Sequence, residues 1–312
     1  MWERAAAYAS QGERFDFRPM FAKIKPIISR ADLGICHMET PLDADDRNLS
    51  SYPVFSVPHE LADAVAWAGY DGCSTASNHA LDQGTSGVKA TLAALDRAGV
   101  DHAGTARTKK EAQSITMLDV NGVKVAHLSY TYGFNGFTPD VPWRANKIKV
   151  ADIISTARLA KEEGADFVIV SLHWGTEYVQ QPVDYQRKVA GKVLGSPVVD
   201  LILGHHAHVV QPIDRIGDKF VVYGMGNLVS GMTASLGKGP VVQDGVIVQV
   251  SVSEEGRDFV VDEVTFTPTW VQEGAWRIVP ALSKSGGALQ QSFRRTSKTI
   301  LSLHAKGVRP DR

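Results

Sequence analysis

Four short apolar runs, each closing on residues able to hold a metal ion, constrain this chain more than any other feature. ADLGICH (31–37) leads to Glu39, and DGCSTAS (71–77) leads to Asn78-His79. ADFVIVSLHW (165–174) carries His173 near its end, and PVVDLILGHHAH (197–208) ends on His205, His206 and His208. Unbroken apolar runs of this length read as buried strands. In open α/β sheets, ligands bind beyond the carboxyl ends of the strands, so these residues are expected to converge on one edge. Carboxylate, amide and imidazole together suit a borderline divalent ion such as zinc, manganese or iron.

Helical periodicity alternates with the strands. FRPMFAKIKPIISR (17–30), HELADAVAWAGY (59–70), SGVKATLAALDRA (86–98), IKVADIISTARLAKEEG (148–164) and QRKVAGKVLG (186–195) each read as a helix. SITMLDV and VKVAHLSYT flank Asn121-Gly122, a strong hairpin signal. After about residue 218 the character changes to successive β runs, KFVVYGMG, GVIVQVSVSEEG and RDFVVDEVTFTPTWV, without a helix between them. The pattern predicts an α/β domain over residues 1–280 with two packed sheets between helices, followed by a basic segment over 281–312. That last segment carries Lys284, Arg294, Arg295, Lys298, Lys306, Arg309 and Arg312 against Asp311 alone. It reads either as a surface for an anionic partner or as a solvated helix and tail.

Composition excludes several classes of function. The 312 residues hold 33 Lys+Arg against 34 Asp+Glu, a net charge of -1, which argues against nucleic acid as a partner because phosphate affinity needs surplus cations. No apolar run approaches the roughly 20 residues needed to span a bilayer. Cys36 and Cys73 are the only cysteines, too few for a disulfide framework or a cysteine-rich zinc module. The opening residues MWERAAAYASQGERFDF lack the apolar core of a signal peptide, so a cytoplasmic location is expected for the chain as it stands.

Each candidate has a plainer reading beside the chemical one. His206 and His208 stand two apart, on the same side of an extended chain, yet a polar strand end with solvated histidines has the same pattern. His173 alone suits a hydrogen-bonded core histidine, Asn78-His79 with Asp82 a turn and helix cap, and Glu39 a loop carboxylate. Gly224-Met225-Gly226-Asn227 marks a tight turn or a place where backbone approaches the site. His37, His59, His102, His127 and His304 show no partner pattern and are expected to be structural or exposed. It is the coincidence of ligand types at four strand ends that favours a metal site.

The series MET (38–40), SNHALDQG (77–84), HWGTEY (173–178), GHHAHVVQ (204–211) and YGMGNL (223–228) resembles the CapA-type proteins of poly-γ-glutamate capsule synthesis, themselves similar to calcineurin-like metallophosphoesterases. The resemblance runs in order from about residue 15 to about residue 270. It implies a four-layered α/β/β/α sandwich with a dinuclear metal centre. On that resemblance Glu39 is the bridging carboxylate, Asn78 an amide ligand, His173 the isolated histidine ligand, and His206 and His208 the pair serving one metal each, with His205 the less favoured ligand. His79 becomes the imidazole at the leaving group, oriented by Asp82. Trp174, Glu177, Tyr178 and Asn227 are expected to line the substrate cleft.

The family begins with a strand ending in a Gly-Asp pair followed by a His, and this chain starts just after that segment. Asp16 and Asp32 stand in the wrong context to replace it. One metal then keeps Glu39, Asn78, His173 and His206, the other only Glu39 and His208. A start assigned downstream of the true one is the favoured explanation, with an extracytoplasmic or membrane-associated location if a signal precedes it. The implied activity is metal-dependent hydrolysis of a phosphoester or related bond in a small molecule or polymer. The rival is a non-catalytic factor that binds or exports poly-γ-glutamate, and a third reading is an interaction module with one structural metal.

Overall fold

A computed structural model describes residues 3–12, 14–234, 237–256 and 258–311; Met1, Trp2 and Arg312 lie outside the described residues. In chain order the elements begin with α1 (Glu3–Ala9), β1 (Ser10–Gln11), β2 (Arg14–Phe15), α2 (Arg18–Phe21), α3 (Lys25–Ile28), β3 (Ile35–His37), α4 (Glu60–Ala68), β4 (Gly72–Ser74) and α5 (Gly84–Ala98). They continue with β5 (Asp101–Ala103), α6 (Lys109–Gln113), β6 (Thr116–Val120), β7 (Val123–Thr131), α7 (Val150–Glu162), β8 (Phe167–His173), α8 (Asp184–Leu194) and β9 (Leu201–His205). The chain closes with β10 (Ile213–Ile216), β11 (Lys219–Val222), β12 (Asp244–Glu255), β13 (Asp258–Gln272), β14 (Arg277–Pro280), α9 (Gly287–Ile300) and β15 (Val308–Pro310).

The layers follow from what the apolar faces bury. A six-stranded sheet runs β10-β11-β9-β8-β7-β6. One of its faces packs against α7 and α8 through Ile153, Ala157, Ala160, Val189, Ala190 and Val193. Its other face meets a second β layer, with Phe167, Ile169, Leu201 and Val222 joined in one cluster with Val246, Val264 and Phe266. That second layer comprises β12-β13-β14, with β15 beside β13, and the separate three-stranded sheet β3-β4-β5. Its outer side carries α2, α4 and α5, whose Met20, Phe21, Val65, Leu92 and Leu95 cluster with Cys73, Val271 and Ile278. Helices, sheet, sheet and helices give the expected four-layered α/β/β/α order.

Register fixes where the polar strand ends lie. The parallel pairs of β7, β8 and β9 set Thr131 beside His173 and His173 beside His205. On the smaller sheet, β3 and β4 set Cys36 beside Cys73, Cα atoms 4.4 Å apart, and His37 beside Ser74. Among the described residues, β3 pairs on one side only, with β4. At the β6–β7 hairpin, Asn121 and Gly122 take φ of +55° and +90°, the left-handed pair that a two-residue turn matching strand twist requires.

Three expectations change. The helix expected over 17–30 is two short helices, each with a proline in its first turn; Pro26 cannot continue the ladder of α2. The final strand run stops at His205 rather than reaching His208. The basic C-terminal segment packs on the sheet through two of its cations, while Lys284, Arg294, Lys298 and Lys306 stay exposed. Arg295 of α9 makes a two-pronged contact with buried Asp244 at 2.6 and 2.8 Å, and Arg309 pairs with Glu263 while β15 lies parallel to β13. No described helix is long and apolar enough to cross a membrane.

Candidate functional site

The carboxyl ends of β3, β4, β8 and β9 bring their histidines into one array. The His205 and His37 rings stack with centroids 4.1 Å apart, His37 and His173 lie 4.9 Å apart, and His173 and His206 lie 4.7 Å apart. His206 and His208 follow at 6.2 Å, and Nε2 of His208 stands 3.6 Å from the Glu39 carboxylate. Asn78 joins through its Oδ1, 2.8 Å from Nε2 of His173.

Side-chain chemistry orients a continuous hydrogen-bonded path through this array. Asn78 Oδ1 can only accept, so Nε2 of a neutral His173 carries the hydrogen and its Nδ1 accepts from Nε2–H of His37, 2.9 Å away. Nδ1 of His37 then accepts from the Ser74 hydroxyl at 2.8 Å. In the other direction Asn78 donates to Asn135 Oδ1 at 3.2 Å, and the Asn135 amide reaches the His79 ring at 3.4 Å. Nδ1–H of His79 donates to Asp82 at 2.7 Å, and the same Asp82 oxygen accepts from the Phe55 backbone at 2.7 Å. Six contacts thus link Ser74, His37, His173, Asn78, Asn135, His79 and Asp82.

Burial sets the charge state of the array. His205 and His206 are pushed down to about 3 by desolvation, with neighbouring imidazoles adding to the effect. His37 and His173 fall well below the ordinary imidazole range for the same first cause. The rings are therefore neutral at pH 7, the form that ligates metals. Buried nitrogens without partners remain on His205 (Nε2) and His206 (Nδ1).

Strain collects here too. Asn135, Tyr178, His206 and His208 have φ of +48°, +64°, +91° and +55°. Such conformations cost non-glycine residues about 1–3 kcal/mol each and persist only where surroundings enforce them. The His206–His208 pair is therefore presented by a turn, not by the extended strand expected from its spacing. Gly204 permits that turn its place, since a Cβ there would lie 2.0 Å from the Tyr223 carbonyl oxygen.

The expected cleft residues divide. Tyr178 lies beside His208 with ring centroids 6.1 Å apart, and Lys238 sits 4.3 Å over its ring. Glu177 is exposed beside it. Trp174 does not line a cleft: it is fully buried in the core beneath α8, and its indole donates to the Tyr223 carbonyl at 3.0 Å. Asn227 is spent on holding His208, accepting from its Nδ1 at 3.0 Å and donating to its carbonyl at 3.2 Å.

Three residues of the array escape sequence reasoning. His37, expected to be structural or exposed, sits at its centre; its signal was position, two residues before Glu39 on an alternating strand. Asn135 links two elements far apart in sequence, and Tyr132 covers His206 at 4.6 Å. Neither has a local signature.

Comparison with known proteins places these observations. Residues 1–232 match the family model described as bacterial capsule synthesis protein PGA_cap. The capsule biosynthesis protein CapA of Bacillus anthracis is 29% identical over 293 residues, covering 90% of this chain and 68% of that protein. The PGA biosynthesis protein CapA of Bacillus subtilis is 33% identical over 192 residues, covering 59% of this chain and 47% of that protein. A probable polyglutamine synthesis accessory protein of Mycobacterium tuberculosis is 25% identical over 212 residues, covering 64% and 55%. The chain thus spans about two thirds of the first relative and about half of the others. Among solved structures, Haemophilus influenzae NAD nucleotidase gives a TM-score of 0.48 at 13% identity, covering 95% of this chain and 57% of that one. The calcineurin-like phosphoesterase YfkN of Bacillus subtilis gives 0.44 at 16% identity, covering 76% and 73%. With three quarters of its length matched by the family model, the chain belongs to the bacterial capsule synthesis protein family PGA_cap.

Proposed function

We propose that the strand-end array is a divalent-metal site that hydrolyses a phosphoester or a related acyl or amide bond in poly-γ-glutamate capsule synthesis. The observation that carries this reading is the meeting of Glu39, Asn78, His173, His206 and His208 beside a hydrogen-bonded His79–Asp82 pair. The donor set fits zinc, manganese or iron. Burial keeps the His173 and His206 imidazoles neutral, and His206 keeps a buried nitrogen without a partner. Glu39, Asn78, His173 and His206 would hold one ion, and Glu39 with His208 the second where two are bound. A bound divalent ion supplies Lewis acidity and lowers the pKa of attacking water.

The chain's own groups do the rest. His79 gives a proton to the leaving group from Nε2, and Asp82 accepts from its Nδ1–H and holds the ring. Phe55 packs edge-on against the His79 ring at 4.6 Å and fixes its plane. Tyr132 and Tyr178 wall the mouth of the array.

A specific observation favours a second reading, a non-catalytic binder of the anionic polymer. Both nitrogens of His173 are engaged by protein groups, so this histidine is satisfied without an ion. Elemental analysis and hydrolysis of aryl phosphate mono- and diesters with added Mn²⁺ or Zn²⁺ separate the two. Metal-dependent turnover abolished by His206→Ala supports hydrolysis. No turnover, together with salt-sensitive co-sedimentation with poly-γ-glutamate, supports binding.

A further inference from the structure

Away from the strand ends, Asp46, His59 and Glu60 each offer a ligand atom, and these atoms lie within 4.8 Å of one another. We infer that they form a separate site for one divalent cation of the zinc or manganese class, which fastens the segment 43–59 to the start of α4. This does not rest on the hydrolytic reading and shares no residue with the strand-end array.

The trio is built, not incidental. The Asp46 side chain is only 10% exposed and that of Glu60 16% exposed. Among the described residues, no Lys or Arg pairs with either carboxylate. Their basic neighbour among the described residues is the His59 imidazole, whose Nδ1 stands 3.0 Å from Asp46 Oδ1 and 3.9 Å from Glu60 Oε2. Asp46 Oδ1 also accepts from the His59 backbone, and Glu60 Oε1 accepts from the Phe15 backbone at 3.1 Å. Those bonds hold one oxygen of each carboxylate in place. Glu60 Oε2 is left buried with no hydrogen-bond partner. A buried carboxylate oxygen with no donor is costly, and two carboxylates beside one imidazole leave negative charge that a cation offsets. Two oxygens and one nitrogen suit a borderline ion with further positions filled by water.

The location gives the site a consequence. The segment it would pin carries Phe55, whose backbone donates to Asp82 and whose ring packs on His79. Ser56, next in sequence, donates to Asp43 at 3.2 Å, and Phe15 ties the chain's first strands to the same carboxylate, Glu60.

The test uses the full chain with the strand-end array disabled by His206→Ala and His208→Ala, dialysed against Zn²⁺ or Mn²⁺ alone. One ion per chain is expected, with amide exchange in residues 46–60 slowed at least tenfold on metal addition. Adding Asp46→Asn and Glu60→Gln, which keep the acceptors for the His59 and Phe15 backbones, should abolish both effects. No ion bound by the array-disabled chain, or an ion and protection that survive Asp46→Asn/Glu60→Gln, overturns the assignment. Should the His206/His208 variant fail to fold, Asp46→Asn/Glu60→Gln in the native background must lower the metal content by one ion; unchanged content overturns it equally.

Discussion

Nε2 of His37 lies 2.9 Å from Nδ1 of His173, and that contact fixes which nitrogen of His173 faces Asn78. Groups that orient a ligand in this way are worth about 10–100-fold in metal affinity or activity. His37→Phe keeps an aromatic ring against His205 and removes the hydrogen bond. It should weaken Mn²⁺ or Zn²⁺ binding about tenfold or more by titration calorimetry, while the melting temperature in chelator changes little.

The His79–Asp82 pair makes a different prediction because it acts on the leaving group. His79→Gln should lower kcat by about 10²–10⁴-fold for an alkyl phosphoester and much less for a p-nitrophenyl ester, whose leaving group needs no proton. Metal content should stay at the native level. Equal losses on both esters would place His79 in positioning rather than proton transfer.

Folded-state histidines also set an acid limit. Burial pushes His127 down to about 4 from its ordinary 6.5, with its Nε2 held 2.9 Å from Ser171. The unfolded chain takes up the proton first as pH falls, so the stability from keeping His127 neutral is full above 6.5 and drains between 6.5 and 4. Between pH 7.5 and pH 5 this one group accounts for about 2 kcal/mol, and His205 and His206 act in the same direction. Urea midpoints measured in chelator should fall accordingly, and His127→Gln should flatten the pH dependence by about that amount.

Gly204 tests the placement of the histidine turn. A Cβ there would meet the Tyr223 carbonyl at 2.0 Å and the Val222 carbonyl at 2.6 Å, both backbone atoms unable to turn aside. Gly204→Ala should cost about 1–3 kcal/mol in urea unfolding and shift His205–His208, with metal affinity falling alongside stability.

Much of this architecture was legible in the sequence because it is written in local patterns. Apolar runs of strand length, helical periodicity and the Asn121-Gly122 turn gave the alternating elements, and the ligand types at four strand ends located the array. Local pattern misled where a neighbour decided the outcome. Trp174 follows His173 directly, yet its indole is captured by the Tyr223 carbonyl in the core. Asn227 looked like a cleft residue and is bound at both ends by His208. The basic C-terminal residues gave no sign that Arg295 would meet Asp244, because the two are 51 positions apart.

By itself the sequence determined which residue types would gather and on which edge, since strand direction and burial follow from hydrophobic pattern. Tertiary structure alone decided the order of contacts within the gathering. His37 reaches His173 across 136 positions and Asn78 reaches Asn135 across 57, each by register and loop placement that no short-range signal encodes. The turn holding His206 and His208 in left-handed conformations is likewise imposed by the surrounding backbone, because an isolated chain gains nothing from that strain.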